Sequence, residues 1–219
     1  MNMRTDFQRP EATGNRWPSG ENHRHPAAFT LVELLIVIAI IGVLAAFILT
    51  ASKAAKRWQY LKTAQAELNQ TITALENYKA RYGTYPPGNP TSYTVNQLYY
   101  ELTGTPPPGN FSTTFGVGGL VNSAHGSGDD AAAAKNFLSG LKQNQIGTYN
   151  GDNIIITSAR GPDITYQPLS VQDVNPFRYC YPGTNNPSSY DLWVQLVISG
   201  QTNLICNWTK QIQINNSLP

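Results

Sequence analysis

At 219 residues the chain is long enough for one sizeable domain, or for a smaller one carried on a membrane anchor. Only 13% of it is Asp, Glu, Lys or Arg, well under the usual quarter, and a net charge of +2 gives no electrostatic argument for nucleic acid. Its two cysteines form neither a C-x-x-C pair nor a zinc spacing, which removes those metal and redox motifs.

Residues 1–28 carry Arg4, Arg9, Arg16 and Arg24 against Asp6, Glu11 and Glu21, with Pro10, Pro18 and Pro26 and no apolar periodicity. Such a segment has no face to bury and reads as a processing leader outside the fold. The chain then turns apolar from Ala28 to Leu49, a length sufficient for a helix to cross a bilayer, which takes roughly 20 residues. The run is too long for the core of a secretory signal peptide, and Ser52-Lys53-Ala54 is a poor small-x-small site. Glu33 interrupts it. A carboxylate there costs about 2.5–3.5 kcal/mol at a bilayer centre and less near an edge, so a compensating partner or a headgroup-level position is required.

Ala28 followed by Phe29-Thr30-Leu31-Val32-Glu33-Leu34-Leu35 resembles the N-terminus of type IV pilins and type II secretion pseudopilins. The resemblance implies cleavage by a prepilin peptidase between Ala28 and Phe29 and N-methylation of Phe29. It also implies that Glu33 pairs with the freed amine of a neighbouring subunit during assembly. The usual residue before the cut is Gly, where this chain has Ala28. The flanking cations run against the expected orientation: Arg16 and Arg24 precede the span, while Lys53, Lys56, Arg57 and Lys62 follow it, and positive charge favours the cytoplasmic side. The resemblance puts the leader inside and the remainder outside, and that orientation is the one expected.

Past Leu49 the helical signal becomes one-sided. Leu61, Leu68, Ile72, Leu75, Tyr78 and Tyr82 fall at the spacing of a single buried stripe, and six alanines between 54 and 80 add propensity. Gly83 supplies a left-handed stop and Pro86-Pro87 forbids continuation. One helix is therefore expected over 29–82, about 80 Å long at 1.5 Å per residue, with a transmembrane half (29–49) and an amphipathic half (50–82). Lys53, Lys56, Arg57, Lys62, Lys79 and Arg81 face only Glu67 and Glu76 in the second half, whereas acids exceed bases from Gly83 onward.

Residues 83–219 read as an exported α+β head: a small antiparallel sheet packed on the helix, with an insertion loop over about 103–128. Asp129 to Leu141 has acids at its start and Phe137, Leu138 and Leu141 on one side, predicting a short helix. Strands are predicted at Ile154–Thr157, Phe177–Tyr181, Tyr190–Ile198, Leu204–Trp208 and Lys210–Ile214, with a loop from Pro182 to Ser189. The opening Gly83-Thr84-Tyr85-Pro86 is similar to the turn after the long helix in major pseudopilins. Asp173-x-x-Pro176-Phe177-x-Tyr179, Tyr190-Asp191-Leu192-Trp193 and Asn207-Trp208 are similar to the same family's head. The resemblance thus implies a pilin-like fold and the type II secretion branch.

That family holds calcium in the loop between its last strands, matched here by Ser199 to Asn207. No Asp or Glu occurs from Leu192 to the C-terminus, and hard cations usually want carboxylate, so no cofactor and no metal site is expected; Gln201, Asn203 and carbonyls are the only calcium donors on offer. Cys180 and Cys206 leave two readings open, buried free thiols or, in an exported head, a disulfide worth roughly 3–4 kcal/mol; the disulfide is taken forward. Catalysis is not expected. His125 near Asp129 and Asp130 sits in Gly/Ser sequence without fixed geometry, and Gly116-x-Gly118-Gly119 lacks the lysine and hydroxyl of a phosphate loop. Tyr85, Tyr93, Tyr99 and Tyr100 have no basic groove beside them for stacking bases.

Implied overall is a non-enzymatic, single-pass inner-membrane subunit with its C-terminal head in the periplasm or outside. Its partners would be further copies of itself, other pseudopilins, the prepilin peptidase, an inner-membrane assembly platform and lipid, with no nucleic acid. The alternatives are a type IV pilus subunit for adhesion, motility or DNA uptake, and a membrane-anchored binding protein.

Overall fold

The computed structural model describes residues 30–106, 119–123, 133–160, 163 and 165–215; the side chains of 47–52 are not described. Two compact units divide the chain, Met1–Phe47 and Ile48–Pro219. Helix α1 (Leu31–Tyr82, 52 residues) begins in the first and ends in the second. In the first unit every described side chain from Leu31 to Ala46 is exposed. Among the described residues no helix is long and apolar enough to cross a membrane. Of the span expected over 29–49, Phe29 and the side chains of Phe47, Ile48 and Leu49 lie outside the described residues.

In the second unit the predicted stripe of α1 is the buried one. Leu61, Ala64, Leu68, Ala74, Leu75 and Tyr78 are buried, with Ile72 and Tyr82 packed at the margin. Burying a leucine fully is worth about 1.5–3 kcal/mol, so these positions hold the helix to the head. The helix stops as its chemistry requires: Gly83 takes φ 77° and its N–H reaches the carbonyl of Lys79 at 2.8 Å.

The head adds a short helix α2 (Leu98–Thr103), a 3₁₀ turn at Gln143–Gln145, and a hairpin of β1 (Ile146–Tyr149) and β2 (Asp152–Ile155). A four-stranded antiparallel sheet follows, ordered β3 (Arg178–Cys180), β4 (Asp191–Ile198), β5 (Gln201–Cys206), β6 (Gln213–Ile214). The architecture is α+β, with the N-terminal helix followed by small antiparallel sheets. Alternation on β4 serves two clusters: Leu192, Val194, Leu196 and Ile198 join the core with α1, while Trp193 packs with Leu204 and Cys206 in a second one.

Several element boundaries differ from expectation. The strand expected over Leu204–Trp208 lies at Gln201–Cys206, and the one over Lys210–Ile214 is only Gln213–Ile214. Register explains the first: Ser199 (φ 52°) and Gly200 (φ 75°) make a two-residue turn with both residues left-handed, so pairing starts at once with Ile198 opposite Gln201. The helix expected from Asp129 to Leu141 is absent over its described part, 133–141. There the amides find tertiary partners instead, Lys135 N–H on Asn122 Oδ1 at 2.8 Å and Phe137 N–H on the Leu102 carbonyl at 2.7 Å. Residues 107–118 and 124–128 of the insertion lie outside the described residues.

Candidate assembly site and head surface

At the start of α1 the sequence Thr30-Leu31-Val32-Glu33 folds into a reciprocal cap. Glu33 N–H donates to Thr30 Oγ1 at 3.2 Å, while the Thr30 amide and hydroxyl both donate to Glu33 Oε2 at 2.9 Å. This is the T-x-x-E capping box, in which the third helical residue reaches back to the cap and satisfies donors the helix cannot. The carboxylate also sits at the positive end of the helix dipole. Reading Glu33 as an interruption of an apolar run and as a partner for a neighbour's amine missed this capping role, although the T-x-x-E spacing announces it. Oε1 has no hydrogen-bond partner among the described residues. Ala28 and Phe29, the residues of the expected cut, lie outside the described residues.

Further along α1, both acids are turned to the head. Buried Glu67 accepts from Thr157 Oγ1 at 2.7 Å, from the Ser158 amide at 3.0 Å and from the Ser158 hydroxyl. Glu76 accepts from the Tyr85 hydroxyl at 3.1 Å and the Tyr190 hydroxyl at 3.3 Å. A third tie runs the other way: the Tyr78 hydroxyl donates at 2.9 Å to Glu101, which is buried on α2 and also accepts from the amides of Val121 and Asn122. Burial pushes the Glu101 carboxyl up from its ordinary value despite these donors, and desolvation with the Glu101 charge raises Tyr78 as well.

The head segments singled out in the sequence are brought together around this end of the helix. The Tyr179 hydroxyl donates to the Pro86 carbonyl at 2.7 Å, and Tyr85 meets Tyr190 edge-on at 4.6 Å between ring centroids. Asp191 is buried and holds the preceding loop, accepting from the amides of Asn185 at 2.7 Å and Asn186 at 3.0 Å. A β-carbon on Gly183 would stand 2.6 Å from Asp191 Oδ1, so glycine is needed for that approach. Asn207 bridges the Leu192 amide and the Tyr190 carbonyl, both at 2.9 Å, and Trp208 stacks edge-on against Trp193. These residues act as a scaffold.

The expected disulfide is not present: Cys180 and Cys206 are free thiols. Cys180 lies opposite Asp191 on β3 and Cys206 opposite Trp193 on β5, so β4 runs between them. Two strand spacings put their backbones roughly 10 Å apart. A disulfide closes only up to about 7 Å between α-carbons. The stretch matched to a calcium loop, Ser199 to Asn207, is mostly strand β5, and Asn203 is spent inside it. Asn203 Nδ2 donates to the carbonyls of Gln201 at 2.9 Å and Leu196 at 3.3 Å, and Oδ1 accepts from Arg57 Nη2 at 3.1 Å. No group of three or more His, Cys, Asp or Glu side chains converges among the described residues. His125, Asp129 and Asp130 lie outside them.

Residues 23–49 match the family described as the prokaryotic N-terminal methylation motif. The N-terminus is similar to that motif. Over 89 residues the chain is also 28% identical to the type II secretion system core protein G of Pseudomonas aeruginosa, a match that covers 41% of this chain. The match spans 61% of that relative's length, about three-fifths. No solved structure matches the chain. Motif and relative together are a likeness to pseudopilins and pilin-like proteins.

Proposed function

We propose that this chain is a structural pseudopilin. It is inserted in the inner membrane as a precursor, clipped between Ala28 and Phe29, methylated on Phe29, and polymerised with its own copies and related subunits into a periplasmic filament for type II secretion. The observation that carries the reading is the methylation-motif match over 23–49, a stretch that includes Glu33. Similarity to a core protein G supports the secretion branch over a pilus.

The capping geometry gives the assembly step a physical form. In the single chain the Glu33 charge is held by one oxygen's bonds to Thr30 and by the helix terminus. A neighbour's Phe29 amine supplies the opposite charge that lipid surroundings demand, through a hydrogen bond in which donor as well as acceptor is ionised. Two substitutions separate capping from charge pairing. Glu33→Ala removes both, whereas Glu33→Gln retains a capping-box side chain and removes the charge. Both are expected to insert in the membrane and to yield no filaments by electron microscopy. Filaments of normal length from Glu33→Gln would show that only the helix cap matters. N-terminal sequencing of membrane-extracted protein is expected to begin at N-methyl-Phe29; a chain starting at Met1 overturns the processing step.

A further inference from the structure

Lys53, Arg57 and Lys62 on α1 and Lys210 ahead of β6 line one groove of about 800 Å³ that contains no carboxylate. The Arg160–Asp173 pair is the single salt bridge among the described residues, so all four cations lack an acidic partner there. Gathered like charges repel, and an arrangement that keeps them together invites an anion. One of them is fixed in place, since Arg57 donates to the fully buried Asn203, itself anchored on two backbone carbonyls. The floor is apolar, with Leu61 and Ile212, and Trp58 stands on the rim 59% exposed.

We infer that this groove binds the phosphodiester headgroup of an anionic phospholipid, the cations holding the phosphate and the apolar floor the first methylenes beneath it. The inference rests on the membrane-anchored reading above. Lys53 follows Leu49, the end of the apolar run, by four residues, no more than about 14 Å of fully extended chain. Tryptophan favours the membrane–water boundary, and Lys or Arg beside a span is drawn to anionic lipid. A lipid site also accounts for cations on the side that the positive-inside rule disfavours.

A second copy of the chain is the competing occupant, and its described surface offers few acids. Glu67, Glu101, Asp152 and Asp191 are buried. Glu76 is bonded to two tyrosines, and Asp173 faces Arg160 at 3.5 Å. Asp163, half-buried and accepting from Thr165, and Glu33, exposed in the apolar N-terminal run, remain.

The test uses the full-length chain in non-ionic detergent, titrated with phosphatidylglycerol or with phosphatidylcholine of the same acyl chains, with bound lipid counted by native mass spectrometry. Phosphatidylglycerol is expected to bind about tenfold more tightly and to survive added inorganic phosphate. The double variant Arg57→Gln/Lys210→Gln should weaken it about 25-fold, roughly fivefold per cation. Arg81→Gln, at the far end of α1, should leave it unchanged, and unaltered melting of both variants verifies their folding. Equal retention of the two lipids, displacement by phosphate alone, or loss on Arg81→Gln overturns the inference, as does self-association that disappears in the double variant while lipid retention persists. The uncut precursor suffices, so failure here leaves filament assembly standing, and failed assembly leaves lipid binding measurable.

Discussion

Glu101 illustrates how one side chain can hold two segments at a pH-dependent cost. Its carboxylate gathers Tyr78 and two loop amides in a buried position, and burial raises its folded pKa above the ordinary 4.5. A raised folded value means the folded chain binds the proton more tightly than the unfolded one. The stabilisation from this group is therefore complete below about pH 4.5 and is lost as pH rises through the folded value. Denaturant midpoints of the wild type should fall over that window relative to Glu101→Gln. The variant, less stable throughout because its amide N–H₂ meets donor amides, should lack this component of the slope. Parallel slopes would remove Glu101 as the cause. At the same scale, burial pushes both cysteine thiols up, more completely enclosing Cys206 than Cys180. Mass spectrometry of the native protein should find two free thiols, with Cys180 alkylated first and Cys206 only on unfolding.

Turn chemistry governs the elements. Both hairpins close on two left-handed residues, Asn150-Gly151 (φ 50° and 89°) and Ser199-Gly200 (φ 52° and 75°), the twist that antiparallel strands favour. A β-carbon at Gly200 would meet nothing within 4 Å, so Gly200→Ala isolates the backbone term. It should destabilise the head by about 1–2 kcal/mol, read from the denaturant midpoint, with an unchanged sheet spectrum. The β1–β2 hairpin carries the N-G signal openly at Asn150-Gly151, yet the strand reading over Ile154–Thr157 left its partner Ile146–Tyr149 unassigned. Helix α2 escaped for a different reason. Six residues give too little periodicity to recognise, and only Gly104 in the left-handed region (φ 69°) marks its end. Over Ala133–Leu141 the error ran the other way, since Asn122 and Leu102 outbid the local helix for its amides.

At the scale of the whole molecule, the core belongs entirely to the second unit, its first member along the chain being Leu61. A chain beginning at Lys53 should therefore fold alone and melt within about 3 °C of the full-length protein in calorimetry. A loss of cooperative melting on truncation would mean that the head depends on the N-terminal segment. Glu67 and Glu76 are spent on the head, so the cations of α1 are left to the surface and dominate its charge.

The sequence by itself determined the long helix, its buried stripe, its stop at Gly83, the two best strands and the methylation motif, because each rests on local chemistry or on a period that a single segment displays. Only the tertiary structure decided that Glu67 is buried against the head and Glu76 bonded to its tyrosines, that β4 separates the two cysteines, and that Arg57 reaches Asn203, 146 residues away along the chain. Those outcomes depend on which strand lies beside which and on where a helix face meets a loop. Residues distant in the chain carry no local signal of that meeting, since the free energy that selects it arises only when their surfaces are buried together.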